Sequence, residues 1–148
     1  MTQEEKQLLL KDLCARLPYG VKGIRTYRPK ETITLGEIIP RCEMNPNVGN
    51  GSFCELGFDK ISDCCTITEF KPYLFPLSSM TEEQRKYIAD RWGINKEFDF
   101  EINPDWGEYF VELCDIVDFI DWLNENHFDY RGLIEKGLAI DATGLNIY

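Results

Sequence analysis

His127 is the only histidine in this chain of 148 residues, and histidine is the side chain most often used as a general base. It lies in the stretch NENHFDY, between two helix-like segments. A catalytic histidine needs an orienting carboxylate, for which Asp129 and Glu125 are candidates, and a nucleophile, for which Cys114 or Cys65 is available. However, Asn, His and Asp are also favoured at corners, where their side chains bond the local backbone. The sequence therefore favours a structural corner histidine, with a small Cys–His enzyme as an alternative.

Thiols are the second group that could carry chemistry. Cys64 and Cys65 are adjacent and would face opposite sides of a strand. The chain has no C-x-x-C pair, and the spacing of Cys42, Cys54, Cys64 and His127 fits no zinc finger or ribbon. We expect no metal site, and thiols that are reduced and mostly buried. The six residues are Cys14, Cys42, Cys54, Cys64, Cys65 and Cys114.

Carboxylates are the third group, with Asp115, Asp118 and Asp121 spaced three apart. Converging carboxylates serve glycosidases and metal-dependent nucleases, so carboxylate chemistry is a further enzymatic alternative. A stripe of acids along a helix usually faces water, which favours a non-catalytic role. The glycines at positions 20, 23, 49 and 51 form no phosphate-binding motif, and we expect no cofactor.

The charge is distributed unevenly along the chain. Between Asp99 and Tyr130 there are ten carboxylates and no Lys or Arg, which equals the net charge of −10. An acidic protein is a poor candidate for contacts with phosphates, so we do not expect a nucleic-acid partner. The basic and aromatic stretch YGVKGIRTYRPK would suit single-stranded nucleic acid, but a solvated strand is the simpler interpretation. The charge favours a basic protein partner, with a role in solubility alone as the alternative.

Hydrophobic periodicity predicts the elements that carry these groups. Thr2 and Glu5 have capping-box spacing before a leucine-rich helix at about residues 3–16, which Pro18 and Gly20 end. Five strand candidates follow as far as residue 77, with the turn NPNVGNGS between the second and third. These are VKGIRTY, ETITLGEIIPRCEM, FCELGF, DCCTITEF and KPYLFPL.

The C-terminal half is predicted to be mainly helical. SSMTEEQRKYIADRWG reads as a helix, with a capping box from Ser79 and Glu82 or from Thr81 and Gln84, and with Gly93 as its C-cap. EFDFEI is a one-faced strand, and YFVELCDIVDFIDWLNEN is a long helix. DYRGLIEKG is predicted as a short helix that Asp129 caps and Gly137 ends, before a strand or tail in LAIDATGLNIY.

We therefore predict an α+β protein with one domain over residues 1–148. An N-terminal helix (1–17) precedes a β-rich part (18–77), which is a small antiparallel sheet or barrel, with an SH3-like barrel as the most economical arrangement. Residues 78–148 form the mainly helical part. The start of the chain lacks a signal-peptide core, and no run of roughly 18 apolar residues exists. We expect a cytoplasmic protein without membrane association.

The long helix provides the candidate partner-binding surface. Its predicted core face contains Tyr109, Leu113, Ile116, Val117, Ile120 and Leu123. Three large apolar residues, Val111, Phe119 and Trp122, fall instead among the acids of the opposite face. There they could serve as desolvated anchors of an interface. The alternative is that the predicted 129–136 helix covers them. The candidate residues are Val111, Asp115, Asp118, Phe119, Asp121, Trp122 and Glu125.

Three blocks of the sequence, at residues 17–23, 71–84 and 122–142, carry a family resemblance. LPYGVKG, KPYLFPLSSMTEEQ and WLNENHFDYRGLIEKGLAIDA resemble a family of uncharacterised small proteins from gut bacteria of the Bacteroides group and their phages and mobile elements. The resemblance covers about a third of the chain and implies a bacterial or phage accessory protein. It implies no activity, cofactor or site residue.

Together these observations favour a non-enzymatic protein-interaction module. The first alternative is an acidic mimic of nucleic acid that inhibits a basic DNA- or RNA-binding protein. The second is a small enzyme that uses Cys–His or carboxylate chemistry.

Overall fold

The computed structural model describes residues 1–43, 51–59, 61–93 and 113–148. Helix α1 (Gln3–Arg16) begins at the predicted capping box, in which Thr2 and Glu5 each bond the other's backbone N–H. Leu9 and Leu13 are fully buried, so the predicted apolar face is the one that packs on the sheet. A 3-10 turn over Leu17–Tyr19 follows, and Gly20 (φ 66°) ends it in the left-handed region.

Four antiparallel strands follow α1 and form the larger part of the sheet. Strand β1 (Lys22–Arg25) pairs with β2 (Arg28–Glu43), which pairs with β3 (Gly51–Phe58), which in turn pairs with β4 (Ile61–Thr66). The predicted turn NPNVGNGS overlaps residues 44–50, which lie outside the described residues. The predicted strands are thus confirmed here, except that DCCTITEF is not strand throughout: β4 ends at Thr66, and Ile67–Glu69 form a 3-10 turn before the next strand.

Strand β5 (Phe70–Pro76) joins the antiparallel strands to the C-terminal part of the chain. It pairs antiparallel with β1, and parallel with two short strands, β6 (Phe128–Asp129) and β7 (Ile140–Asp141). The sheet order is β4-β3-β2-β1-β5-β6, with β7 beside β5. In the described strands this order is open, so the α+β class is confirmed but a closed, SH3-like barrel is wrong.

Helices α2 (Glu82–Trp92) and α3 (Leu113–Glu125) pack beside β6. Thr81 and Gln84 form the capping box of α2, and Gly93 (φ 63°) is its C-cap, as expected. An apolar cluster joins the two helices to the strands through Met80, Ile88, Phe119, Leu123 and Phe128. The predicted strand EFDFEI lies outside the described residues.

The predicted helix over 129–136 is wrong. The segment folds as a series of turns, in which Gly132 and Gly137 have positive φ angles of 69° and 68°. Asp129 does accept bonds from downstream amides, to the N of Leu133 (2.9 Å) and the N of Ile134 (2.8 Å), but these bonds close a loop rather than start a helix. The turns are stable because Leu133 is fully buried in the main core.

A buried ion pair fixes α1 against the C-terminal part of the chain. Asp12 and Arg16 are both fully buried, and Arg16 Nε donates to Asp12 Oδ2 at 2.7 Å. Arg16 Nη2 also donates to the carbonyl oxygen of Phe128 at 2.6 Å, across 112 positions of sequence. Arg131 lies 3.4 Å from Asp12 Oδ1 and adds a second cation. Since buried charges require partners, this network specifies how α1 docks on β6.

The cysteines test two expectations, which concern the faces of β4 and the burial of the thiols. Cys65 is buried and Cys64 is exposed, which confirms that adjacent residues of β4 face opposite sides. Cys14 is also exposed, so the expectation of mostly buried thiols is wrong for the cysteines whose side chains are described.

None of the helices α1, α2 and α3 combines the length and apolar character needed to cross a membrane.

Candidate protein-binding cleft

His127 occupies the corner between α3 and β6, as its sequence context indicates. Its backbone is in the left-handed region (φ 58°), where His, Asn and Asp are enriched among non-glycine residues. Its N–H donates to the carbonyl oxygen of Asn124 (3.1 Å), and its own carbonyl oxygen accepts from the N–H of Phe75 (2.9 Å). The corner therefore connects the end of α3 to β5.

The side chain of His127 packs against the last residue of the chain. Its ring stacks on Tyr148, with centroids 3.7 Å apart, and only 6% of the residue is exposed. Burial, followed by the positive charges of Arg16 and Lys22, lowers the pKa of His127 to about 4, so the imidazole is neutral near pH 7. Its Nδ1 is buried without a hydrogen-bond partner.

A cavity of about 390 Å³ adjoins this histidine. Its polar lining comes from the hydroxyls and amides of Ser79, Thr81, Gln84 and Asn126 and from the carboxylate of Glu125. The aromatic lining comes from Phe75, Phe128 and Tyr148. The phenol of Tyr148 is held in place by a bond that it donates to the carbonyl oxygen of Tyr73 (3.0 Å) and by one that it accepts from the N–H of Lys22 (3.0 Å).

Helix α3 is rotated relative to the predicted core face. Phe119 is 8% exposed and packs on Trp92, whereas Ile116 and Val117 are 39% and 52% exposed. The expectation that Phe119 projects from the acidic surface is therefore wrong. The reason is that α2 and Phe128, rather than the 129–136 segment, cover this side of the helix.

Trp122 differs from Phe119 because it is only half-buried and borders an open cleft of about 250 Å³. Its ring stacks on Tyr87 (5.9 Å between centroids) and on Phe128 (5.8 Å). Trp92 completes the aromatic wall, 5.6 Å from Tyr87 in an edge-on arrangement. Tyr87 is 48% exposed, so this wall is accessible from solvent.

Three carboxylates surround the aromatic wall: Asp118, Asp121 and Glu125. Arg91 lies 3.8 Å from Asp118, but both side chains are about half exposed, and such pairs contribute little to stability. In the part of the chain that the structure describes, Asp121 and Glu125 have no ion-pair partner. Their negative charge also acts on the phenol of Tyr19. Burial, followed by the charges of Asp121 and Glu125, raises the pKa of Tyr19. The cleft therefore combines uncompensated negative charge with exposed aromatic surface.

The structure divides the predicted binding residues into three groups. Asp118, Asp121, Trp122 and Glu125 meet at the cleft, and Phe119 lies beneath it. Val111 lies outside the described residues, and Asp115 belongs to α3 but its side chain is outside the described ones.

The contribution of α2 was missed by the sequence analysis. Tyr87 and Arg91 are one turn apart and both exposed, and Trp92 follows them. The sequence does place an aromatic residue and a cation on the polar side of this helix, which was the available signal for a binding surface. The packing of α2 on α3, however, is a property of the tertiary structure.

The described part of the chain contains no group of three or more His, Cys, Asp and Glu side chains placed to hold a metal ion. Cys114, one of the proposed nucleophiles, has a side chain outside the described ones, and Cys65 lies in the main core. Comparisons of this chain with family models, with curated proteins and with solved structures found no match.

Proposed function

We propose that this protein is a non-enzymatic, cytoplasmic protein-interaction module that binds a basic protein through the cleft between α2 and α3. The observation that carries the proposal is the exposed stack of Tyr87 on Trp122, bordered by the carboxylates of Asp121 and Glu125. Aromatic side chains in a partly desolvated position are the residues that dominate protein interfaces. Carboxylates beside them attract a basic partner and repel acidic ones.

The chemistry of the cleft specifies the kind of side chain that it would accept. Lysine and arginine bind favourably over the faces of Trp and Tyr rings and pair with carboxylates. The chain's own Arg91 makes this type of contact, since its guanidinium lies 5.7 Å from the Trp92 ring centroid. A basic residue of the partner would use the free parts of the same wall, beside Asp121 and Glu125. As the resemblance implies, we place the module among accessory proteins of bacteria or their phages.

The test is affinity capture from a host lysate, followed by measurement of the purified partner's affinity and rates. We expect Trp122→Ala to weaken binding at least tenfold, about 1.4 kcal/mol. Asp121→Lys should mainly slow association and reduce its dependence on salt, because the charge acts at long range. Tyr27→Ala and Glu135→Lys are matched controls, because both residues are exposed and do not line the cleft.

Two outcomes of this experiment would contradict the proposal. One is a partner whose affinity is unchanged by Trp122→Ala and Asp121→Lys. The other is a partner that binds nucleic acid and is released competitively by it, which would support the acidic-mimic alternative.

A further inference from the structure

The acidic cleft and the cavity beside His127 adjoin each other, and the two together are called the groove below. Glu125 lines both of them. On α2, the bordering residues run from Thr81 and Gln84 at the cavity to Tyr87 and Arg91 at the cleft. On α3 the order is reversed, from Asp118 at the cleft to Glu125 at both, so the groove follows two antiparallel helices.

Aromatic contacts are continuous along the floor of this groove. Trp122 stacks on Phe128, Phe128 contacts Phe75 (6.3 Å), and Phe75 contacts Tyr148 (6.0 Å). Tyr148 stacks in turn on His127. The two ends differ in character. Asp118 and Asp121 border the cleft alone, whereas the neutral polar groups and the rings of Phe75, Phe128 and Tyr148 border the cavity alone.

His127 forms part of the cavity wall where it meets the corner after α3. It is more than nine-tenths buried, it borders the cavity, and its Nδ1 has no hydrogen-bond partner. Its positive φ angle fits the corner that it occupies and fixes the direction of the chain at the cavity wall.

We propose that the groove binds an extended peptide of the partner, with a lysine or arginine in the cleft and an apolar, preferably aromatic, side chain in the cavity. This inference rests on the proposed function and specifies its ligand. The negative charge at one end and the apolar rings at the other are complementary to these two side chains.

The helix geometry specifies the spacing of the two peptide residues. Trp122 at the cleft and Asn126 at the cavity are four residues apart, which is about 6 Å along a helix. An extended chain advances roughly 3.3 Å per residue, and its side chains at positions i and i+2 lie on the same face. The peptide is therefore expected to present its basic and aromatic residues two positions apart.

The test is isothermal titration calorimetry of the full chain with two synthetic peptides of identical composition and charge. The spaced peptide, Gly-Phe-Ser-Lys-Ser-Phe-Gly with blocked ends, satisfies the spacing in either chain direction. The contiguous control is Gly-Phe-Lys-Phe-Ser-Ser-Gly. We expect the spaced peptide to bind about tenfold more tightly, and Trp122→Ala to abolish measurable binding of both.

A pair of protein variants tests the cavity separately. Ser79 lines the cavity and its neighbour Ser78 does not. We expect Ser79→Phe, which fills the cavity, to reduce the affinity for the spaced peptide to that of the contiguous one, and Ser78→Phe to leave it unchanged. Circular dichroism and thermal unfolding establish that both variants are folded.

The outcomes separate this inference from the function on which it rests. Equal affinity for the two peptides, or no effect of Ser79→Phe in a folded variant, overturns the two-pocket groove. If that equal binding is still lost in Trp122→Ala, the acidic cleft and the proposed function stand. If neither peptide binds, the proposal that one peptide occupies both the cleft and the cavity is overturned. The proposed function is then decided by whether capture of a partner from the lysate depends on Trp122.

Discussion

The imidazole of His127 stacks on the phenol ring of Tyr148, with centroids 3.7 Å apart and planes inclined by 17°. The two residues join the corner after α3 to the last residues of the chain. Tyr148 is itself held by Lys22 and Tyr73, so the contact links α3, β1 and β5. Burial raises the pKa of Tyr148 to about 12, and the phenol is therefore neutral under ordinary conditions.

The neutral state of His127 predicts loss of stability in mild acid. Its pKa is about 4 in the folded chain and about 6.5 when unfolded, so the unfolded chain binds more protons between these values. The stabilisation is complete above pH 6.5 and decreases as the pH falls towards 4. We expect the wild type to lose about 2 kcal/mol from this residue between pH 7 and pH 5.

His127→Asn is the variant that checks this prediction, because asparagine tolerates the left-handed backbone and does not titrate. Urea unfolding at the two pH values should show a smaller pH dependence in the variant than in the wild type. The same dependence in both proteins would show that other groups are responsible.

The buried pair of Asp12 and Arg16 predicts a large effect of neutralising one partner. Asp12→Asn leaves the guanidinium of Arg16 in the core without its main counter-charge, and we expect a loss of about 3–5 kcal/mol. Asp118→Asn is the matched control, because its pair with Arg91 is half exposed; it should change stability by less than about 1 kcal/mol. Equal losses in the two variants, measured by chemical denaturation, would contradict this assignment.

Gly23 is predicted to tolerate no side chain. A Cβ at this position would lie 2.5 Å from Cζ of Phe70 and even closer to the carbonyl oxygen of Lys71, so β1 would have to separate from β5. We expect Gly23→Ala to cost about 3 kcal/mol, near the upper end for overpacking. Gly93→Ala, where nothing lies within 4 Å and only the positive φ opposes the change, should cost about 1 kcal/mol. A smaller effect at Gly23 than at Gly93 in thermal unfolding would refute the packing argument.

Asp129 is predicted to maintain the turns that replace the expected helix. Its two carboxylate oxygens accept from the amides of Leu133 and Ile134, and Asp129→Ala leaves both donors without a partner. We expect a loss of about 2–3 kcal/mol, whereas Asp129→Asn, which keeps one acceptor, should lose about 1 kcal/mol. Hydrogen exchange should accelerate at these two amides in particular. Unchanged protection in Asp129→Ala would show that the core contact of Leu133 alone holds the segment.

Local sequence signals were sufficient for the elements whose structure depends on near neighbours. The capping boxes at Thr2 and Thr81 and the C-cap at Gly93 appear where they were predicted, because each depends on residues three or four apart. The strands as far as β5 were also predictable, since alternation of apolar residues follows directly from the geometry of a strand. Strand β6 was not predicted, because its pairing with β5 is a long-range contact. The concentration of acids in one segment is likewise a property of the sequence.

The tertiary structure decided the features that depend on distant partners. The stretch DYRGLIEKG has helical periodicity, but Asp129, two left-handed glycines and the burial of Leu133 produce turns instead. The rotation of α3 was set by its contact with α2, which buries Phe119 and leaves Val117 exposed. Tyr87 joins Trp122 for the same reason, because two helices that are separate in sequence pack side by side. The sequence by itself thus determined which residues carry charge and aromatic surface, and only the packing of α2 on α3 brought them to one cleft.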